Sequence, residues 1–172
     1  FSDKVFSELV AEFKNEHLTA YPETEQLYNA LADNLSLDKE QLVITAGSDA
    51  GIRSCFEAFT ELGDQVITLN PTFAMVDVYA QLFAVKQIKI GYNNDFSLQV
   101  DKLLNSISSQ TSMIVLANPN SPTGTIIDHQ IMLKILKKTK KFNIPLVIDE
   151  AYAGFYKRSY IKYINKFNNL II

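Results

Sequence analysis

The sequence predicts an α/β protein, an open and mostly parallel sheet with helices on both faces. Three observations predict it. From residue 41 onward, short apolar runs alternate with longer amphipathic stretches, and strand–helix alternation builds parallel sheets through crossover units. The runs at residues 65–69, 112–116 and 146–149 are largely apolar, which marks strands covered on both faces. The 172-residue chain is 47% hydrophobic and 20% charged, a balance that suits one domain with a substantial core.

The elements follow in order. Phe6, Leu9, Val10 and Phe13 recur at helical spacing among Lys and Glu, so residues 3–16 read as an amphipathic helix. Pro22 breaks the pattern and restricts Tyr21 to an extended conformation. A second helix is expected over residues 23–34. Strands are expected at 41–45, 65–69, 85–90, 112–116 and 146–149, with helices at 50–59, 73–82, 101–106 and 130–140 between them. Residues 169–172 read as the start of a further strand. No internal repeat, low-complexity tract or linker divides the sequence.

A net charge of -3 argues against a general affinity for nucleic acid or anionic membrane. The longest apolar runs are too short to span a bilayer, and the first residues lack a signal-peptide layout. Cys55 is the single cysteine, so no internal disulfide is expected, and the expected compartment is the cytoplasm. The chain starts at Phe1 and ends within the apolar Leu170-Ile171-Ile172, which reads as a cut at both ends. His17 and His129 lack companion ligands, so no metal site is expected. Cys55 reads as a packed thiol, and the lysine-rich stretch from Lys134 to Lys141 as a solvated helix face. Tyr156 and Tyr160 are assigned no role.

In open parallel sheets, ligands sit at the carboxyl ends of the strands. Four junctions there carry chemistry. Thr45-Ala46-Gly47-Ser48-Asp49 offers small residues and free helix-start amides that suit a phosphate, although Ser48 or Asp49 could instead cap the helix. Asn70-Pro71-Thr72-Phe73 places an aromatic where it could stack on a planar ring or begin a helix as a core residue. Asn118-Pro119-Asn120-Ser121-Pro122-Thr123-Gly124 holds polar side chains in a loop constrained by two prolines and a glycine. Asp149-Glu150-Ala151-Tyr152 ends an apolar strand in two acids, where Asp149 is partly desolvated and wants a cationic partner, a surface lysine or a ligand. A magnesium-dependent nucleotide hydrolase would need a Gly-Lys-Ser/Thr tripeptide as well, and the sequence has none.

In this order and spacing the four junctions resemble the fold-type I pyridoxal-phosphate (PLP) enzymes, specifically class I/II aminotransferases of the histidinol-phosphate aminotransferase subgroup. The likeness runs from Tyr21-Pro22 to the last residue. Its most specific pieces are Pro122-Thr123-Gly124 and Asp149-Glu150-Ala151-Tyr152. The resemblance implies that the 172 residues are a partial large, PLP-binding domain, without the small domain and without the lysine that bonds the cofactor. That lysine is expected just after Ile172, so no catalytic residue is assigned within the chain.

For the cofactor, the resemblance implies Asp149 on the pyridine nitrogen, Tyr152 on the phenolic oxygen, Phe73 stacked on the ring, and Ser48 and Asp49 around the phosphate. Tyr21 matches a tyrosine that reaches the neighbouring subunit's site, which implies a homodimer. The family has Asn before Pro-Thr-Gly, bonded to the phenolic oxygen. Here Ser121 fills that slot with a shorter hydroxyl, and Asn120 is a second candidate.

The implied activity is transfer of an amino group from an L-amino acid, or an amino-alcohol phosphate such as histidinol phosphate, to a 2-oxo acid, the fragment itself being inactive. The implied partners are a small-molecule amino donor and a 2-oxo acid acceptor. The alternatives are a PLP-dependent decarboxylase of a phosphorylated amino acid, and a non-catalytic α/β nucleotide-binding domain.

Overall fold

A computed structural model describes residues 2–172. They form two compact units, one ending at Ile44 and the other spanning Thr45–Ile172.

The first unit is helical. Helix α1 (Asp3–Ala11) is capped by Ser2, whose Oγ accepts from the Val5 amide at 3.4 Å. The expected single helix over 3–16 is in fact two pieces, with α2 at Glu16–Thr19. The break is local: the Phe13 amide tightens onto the Val10 carbonyl, and the Lys14 amide donates to His17 Nδ1 at 3.2 Å. A side chain has replaced the helical acceptor. Helix α3 (Glu25–Leu35) ends at Ser36 in the left-handed region.

Residues 41–45 do not form the expected strand. Gln41 closes a 3-10 turn over Lys39–Gln41, and the Ile44 amide donates to the Tyr28 hydroxyl at 3.2 Å. Val43 is 80% exposed. The apolar alternation is present, but its backbone is occupied by turn and side-chain partners rather than a neighbouring strand.

The second unit is a five-stranded sheet with β1 (Gln65–Leu69), β2 (Lys86–Ile90), β3 (Thr111–Ala117), β4 (Leu146–Asp149) and β5 (Leu170–Ile171). Their order is β2-β1-β3-β4-β5, and every pairing is parallel. The run expected at 169–172 supplies β5, beside β4.

Period-two alternation divides the strands between two cores. Val66, Met113, Val115 and Val147 pack with Ile52 and Phe56 of α4 (Gly47–Phe59) and Val76, Tyr79 and Ala80 of α5 (Ala74–Leu82). Ile67, Ile114, Leu116, Leu146 and Ile148 pack on the other face with Leu103 of α6 (Val100–Ser106) and Met132, Ile135 and Leu136 of α7 (His129–Phe142). Helices therefore cover both faces, as the apolar strands require. The chain passes outward from β1 to β2, then returns to β3 on the other side of β1. The strand order thus reverses between β1 and β3, and crevices at such a reversal are where open α/β sheets bind ligands.

Candidate functional site

Two loops diverge at the reversal point, one after β1 and one after β3, and the Asn120 side chain joins them. Its Oδ1 accepts from Thr72 Oγ1 at 2.8 Å, while its Nδ2 donates to the Pro71 carbonyl at 3.0 Å and to Thr123 Oγ1 at 2.8 Å. Asn120 is 3% exposed, and its carboxamide is fully engaged with protein. It braces the site, and Ser121 beside it is half-buried. The same loop is closed by the Gly124 amide, which donates to the Asn120 carbonyl at 2.8 Å, with Gly124 at φ 67. That positive φ is one glycine adopts without strain.

Asn118 fastens the loop to the neighbouring strand. Its amide donates to the Asp149 carbonyl at 2.9 Å, and its Oδ1 accepts from the Ile127 amide at 2.8 Å. Its Nδ2 is buried and has no hydrogen-bond partner among the described residues. A buried donor left unmade is costly, and this one lies at the carboxyl edge of the sheet.

Asp149 is the last residue of β4 and pairs in register with Ala117 of β3. Alternation sets its direction: Val147, two residues earlier, faces the α4 and α5 core, so Asp149 shares that face. Ala117 follows Val115 onto the same face. Asp149 is half-buried, and its Oδ1 accepts from the Ala151 amide at 2.9 Å. No described ion pair includes it. Among the described residues, no side chain supplies the cationic partner that a partly desolvated carboxylate calls for.

The start of α4 lies on this face too. Its N-cap position is Ala46, with no side-chain cap, and Gly47 takes φ 78. Neither Ser48 nor Asp49 caps the helix, so the first-turn amides keep their donor capacity for a ligand. Burial and a hydrogen bond to the Asp49 carboxylate push the Tyr79 phenol up, which ties the Asp49 side chain to α5. Its contribution to an anion is therefore its backbone N–H. Phe73 precedes α5 and packs, half-buried, against the same core, so it is both a core residue and an aromatic at the β1 edge.

Ser121 and Tyr152 line one cavity of about 370 Å³, together with Pro122, Gly124, Ile126 and Phe155. Tyr152 is half-exposed, and its ring lies 6.2 Å from that of Phe155. Next to Asp149, Glu150 accepts from the Tyr160 amide at 2.7 Å, and burial pushes its carboxyl up. Tyr21 belongs to the first unit, between α2 and α3, and is 98% exposed.

The structure places Phe73 after β1, Ser121 after β3, and Asp149 and Tyr152 at and after the end of β4. Ser48 and Asp49 begin α4, which packs on the face of Val147 through Ile52 and Phe56, and Tyr21 lies in the other unit. Sequence reasoning missed the bracing roles of Thr72, Asn118 and Asn120. The two asparagines carried a signal, since each sits in a proline-bounded loop where a side-chain bond to backbone is the usual device.

The sequence profile of the family described as "Aminotransferase class I and II" matches residues 4–169. A histidinol-phosphate aminotransferase of Caldanaerobacter subterraneus subsp. tengcongensis is 31% identical over 162 residues, covering 92% of this chain and 45% of the relative. Another from Ruminiclostridium cellulolyticum is 36% identical over 161 residues, covering 90% and 44%. Among solved structures, an Erwinia carotovora atroseptica protein provisionally described as a histidinol-phosphate aminotransferase superposes with a TM-score of 0.87. It is 26% identical, with 98% of this chain and 51% of that chain covered. The chain thus spans about half the length of the relatives it matches.

Proposed function

The chain belongs to the class I and II aminotransferase family, and from that premise we propose that it forms the cofactor-gripping part of an aminotransferase acting on an L-amino acid or on an amino-alcohol phosphate such as histidinol phosphate. The family's cofactor is PLP, whose protonated pyridine ring serves as an electron sink for bonds at the amino carbon when bound. The donor set fits it. A carboxylate without a protein cation, uncapped helix-start amides and an aromatic share one face of the sheet edge, and two hydroxyls line the adjoining cavity.

The residues have distinct tasks in this reading. Asp149 holds the proton on the ring nitrogen, and its half-buried position strengthens that charge pairing. The Ser48 hydroxyl and the amides of Ser48 and Asp49 bind the phosphate. Phe73 orients the ring by stacking. Tyr152 donates to the phenolic oxygen, and Ser121 is placed to do so from the same cavity. Tyr21 is proposed to serve the site of a second copy in a homodimer. A 2-oxo acid is the proposed amino acceptor.

The observation that carries the proposal is the placement of Asp149, with no basic partner, on the face shared with the α4 start. The 172 residues themselves are proposed to bind PLP noncovalently and not to transaminate, because Lys157, Lys162 and Lys166 all precede β5. Equilibrium dialysis of the chain against PLP tests the first half. Binding that falls at least tenfold in Asp149→Ala supports it, and equal binding by both overturns it. Assaying both the 172 residues and the full-length protein with histidinol phosphate or aromatic amino acids and 2-oxoglutarate tests the second half, since the 172 residues should form no glutamate and the full-length protein should. Glutamate formation by the full-length protein supports the transaminase reading, and its absence for every donor sinks it.

A further inference from the structure

A second charged cavity lies at the other end of the sheet, near the amino ends of β3 and β4. Lys134, Lys137, Lys138 and Lys141 of α7 line it, and its volume is about 690 Å³. It is an open depression on the surface, in which Lys134, Lys137 and Lys141 are exposed. The four lysines stand at spacings of three, four and seven, which is one helix face. Ser108 and Ser109 face them, and Ile107 and Phe142 contribute apolar surface.

The charge there is unbalanced. Helix α7 carries five lysines and no carboxylate in a chain of net charge -3. None of the four lining lysines takes part in a described ion pair. Lys138 Nζ donates to the Leu104 carbonyl at 2.5 Å, and Lys141 Nζ lies 5.5 Å from the Phe142 ring centre. Interaction with the helix dipole accounts for Lys140 and Lys141 in the last turn, but it falls off beyond that turn. It gives no reason for Lys134 and Lys137. Like charges one turn apart repel, and an anion in the cavity would relieve that repulsion.

We propose that this lysine cavity is a binding site for a small ligand bearing a chain of phosphates, separate from the cofactor edge. Seven residues of helix span about 10 Å, which suits several linked phosphates better than a single carboxylate. Lysine ammoniums are point-charge phosphate binders, and the two serine hydroxyls supply further donors.

Calorimetric titration of the chain with tripolyphosphate at low salt tests this. The expected result is saturable one-to-one binding that weakens roughly tenfold or more in the Lys137→Gln/Lys141→Gln variant. It also weakens as salt rises. Single Lys134→Gln serves as a second variant should the double one lose its far-UV circular dichroism. Absence of saturation, or equal binding by wild type and the lysine variants, overturns the proposal. So does tighter lysine-dependent binding of a DNA oligonucleotide or of phosphatidylserine vesicles, which would assign the face to a macromolecule.

Discussion

Asn120 Oδ1 accepts a hydrogen bond from Thr72 Oγ1 at 2.8 Å, joining loops 48 residues apart in sequence. That bond and the two donated by Asn120 Nδ2 hold the β1 and β3 loops in one arrangement. Replacing Asn120 with Ala leaves the Pro71 carbonyl and the Thr72 hydroxyl without their partners. The expected loss is about 2–3 kcal/mol of stability, since each buried unmade bond costs about 1–3 kcal/mol. Thr72→Val should cost less, because the Nδ2 bonds survive. Urea denaturation midpoints check both, and equal midpoints for wild type and Asn120→Ala would contradict the bracing role.

Asp149→Asn should separate binding from folding. The Oδ1 acceptor for the Ala151 amide is retained in asparagine, and no ion pair is broken. The unfolding midpoint should stay within about 0.5 kcal/mol of wild type, as for substitutions that touch no buried network. PLP affinity should fall by at least about tenfold, the worth of one charge-assisted bond. Dialysis and denaturation on the same preparation read the two effects.

Glu150 gives a pH-dependent prediction. Burial raises its carboxyl, against the lowering by its bonds to Ser159 and the Tyr160 amide. A raised folded value means that the fold favours the protonated form. This contribution is present below the unfolded value and is lost as pH rises through the folded one. Glu150→Gln keeps an acceptor for the Tyr160 amide and removes the charge. It should therefore stabilise the chain at pH 7 by up to about 1 kcal/mol, discounted for partial exposure, and give no gain at pH 4. Denaturation midpoints at the two pH values check the crossover.

Tyr160 is fully buried, its hydroxyl has no hydrogen-bond partner among the described residues, and its phenol is pushed up to about 12, chiefly by burial. Stability should be intact below pH 10, the ordinary phenol value, and should fall as pH rises from there through about 12. Tyr160→Phe removes the unpaired hydroxyl and should be neutral or stabilising by about 1 kcal/mol at pH 7, with a flatter alkaline limb. A variant destabilised by more than that would show that the hydroxyl has a partner in solution.

Where apolar character and position agreed, the fold was legible. The strands at 65–69 and 146–149 matched their expected bounds, because apolar runs of four or five residues between turn residues are shorter than a typical helix. The run at 41–45 failed because alternation states which side chains want burial, not whether another backbone is there to pair. The Tyr28 hydroxyl took the Ile44 amide instead. The helix over 3–16 failed at Lys14, where His17 offered a competing acceptor. At the site, residue types singled out Asp149 at the end of an apolar strand and the proline-bounded loop at 118–124, while the roles expected of Tyr152 and Ser121 came from the family resemblance. The Asn120 bonds to Pro71 and Thr72 were invisible, since they depend on two loops meeting that only the strand order brings together.

The strand order also fixes when this edge can exist. In a growing chain that has reached β2, the only partner β1 can have in this sheet is β2, which leaves the other side an open row of amides and carbonyls, the hazard of any unpaired strand. Some twenty residues of synthesis separate β2 from β3, and β1 stays exposed for that interval. Only when Asn120 emerges can the loop after β1 be fastened. The reversal that creates the crevice therefore makes ligand binding a late event in the life of the nascent chain, and leaves the same strand to be shielded until then.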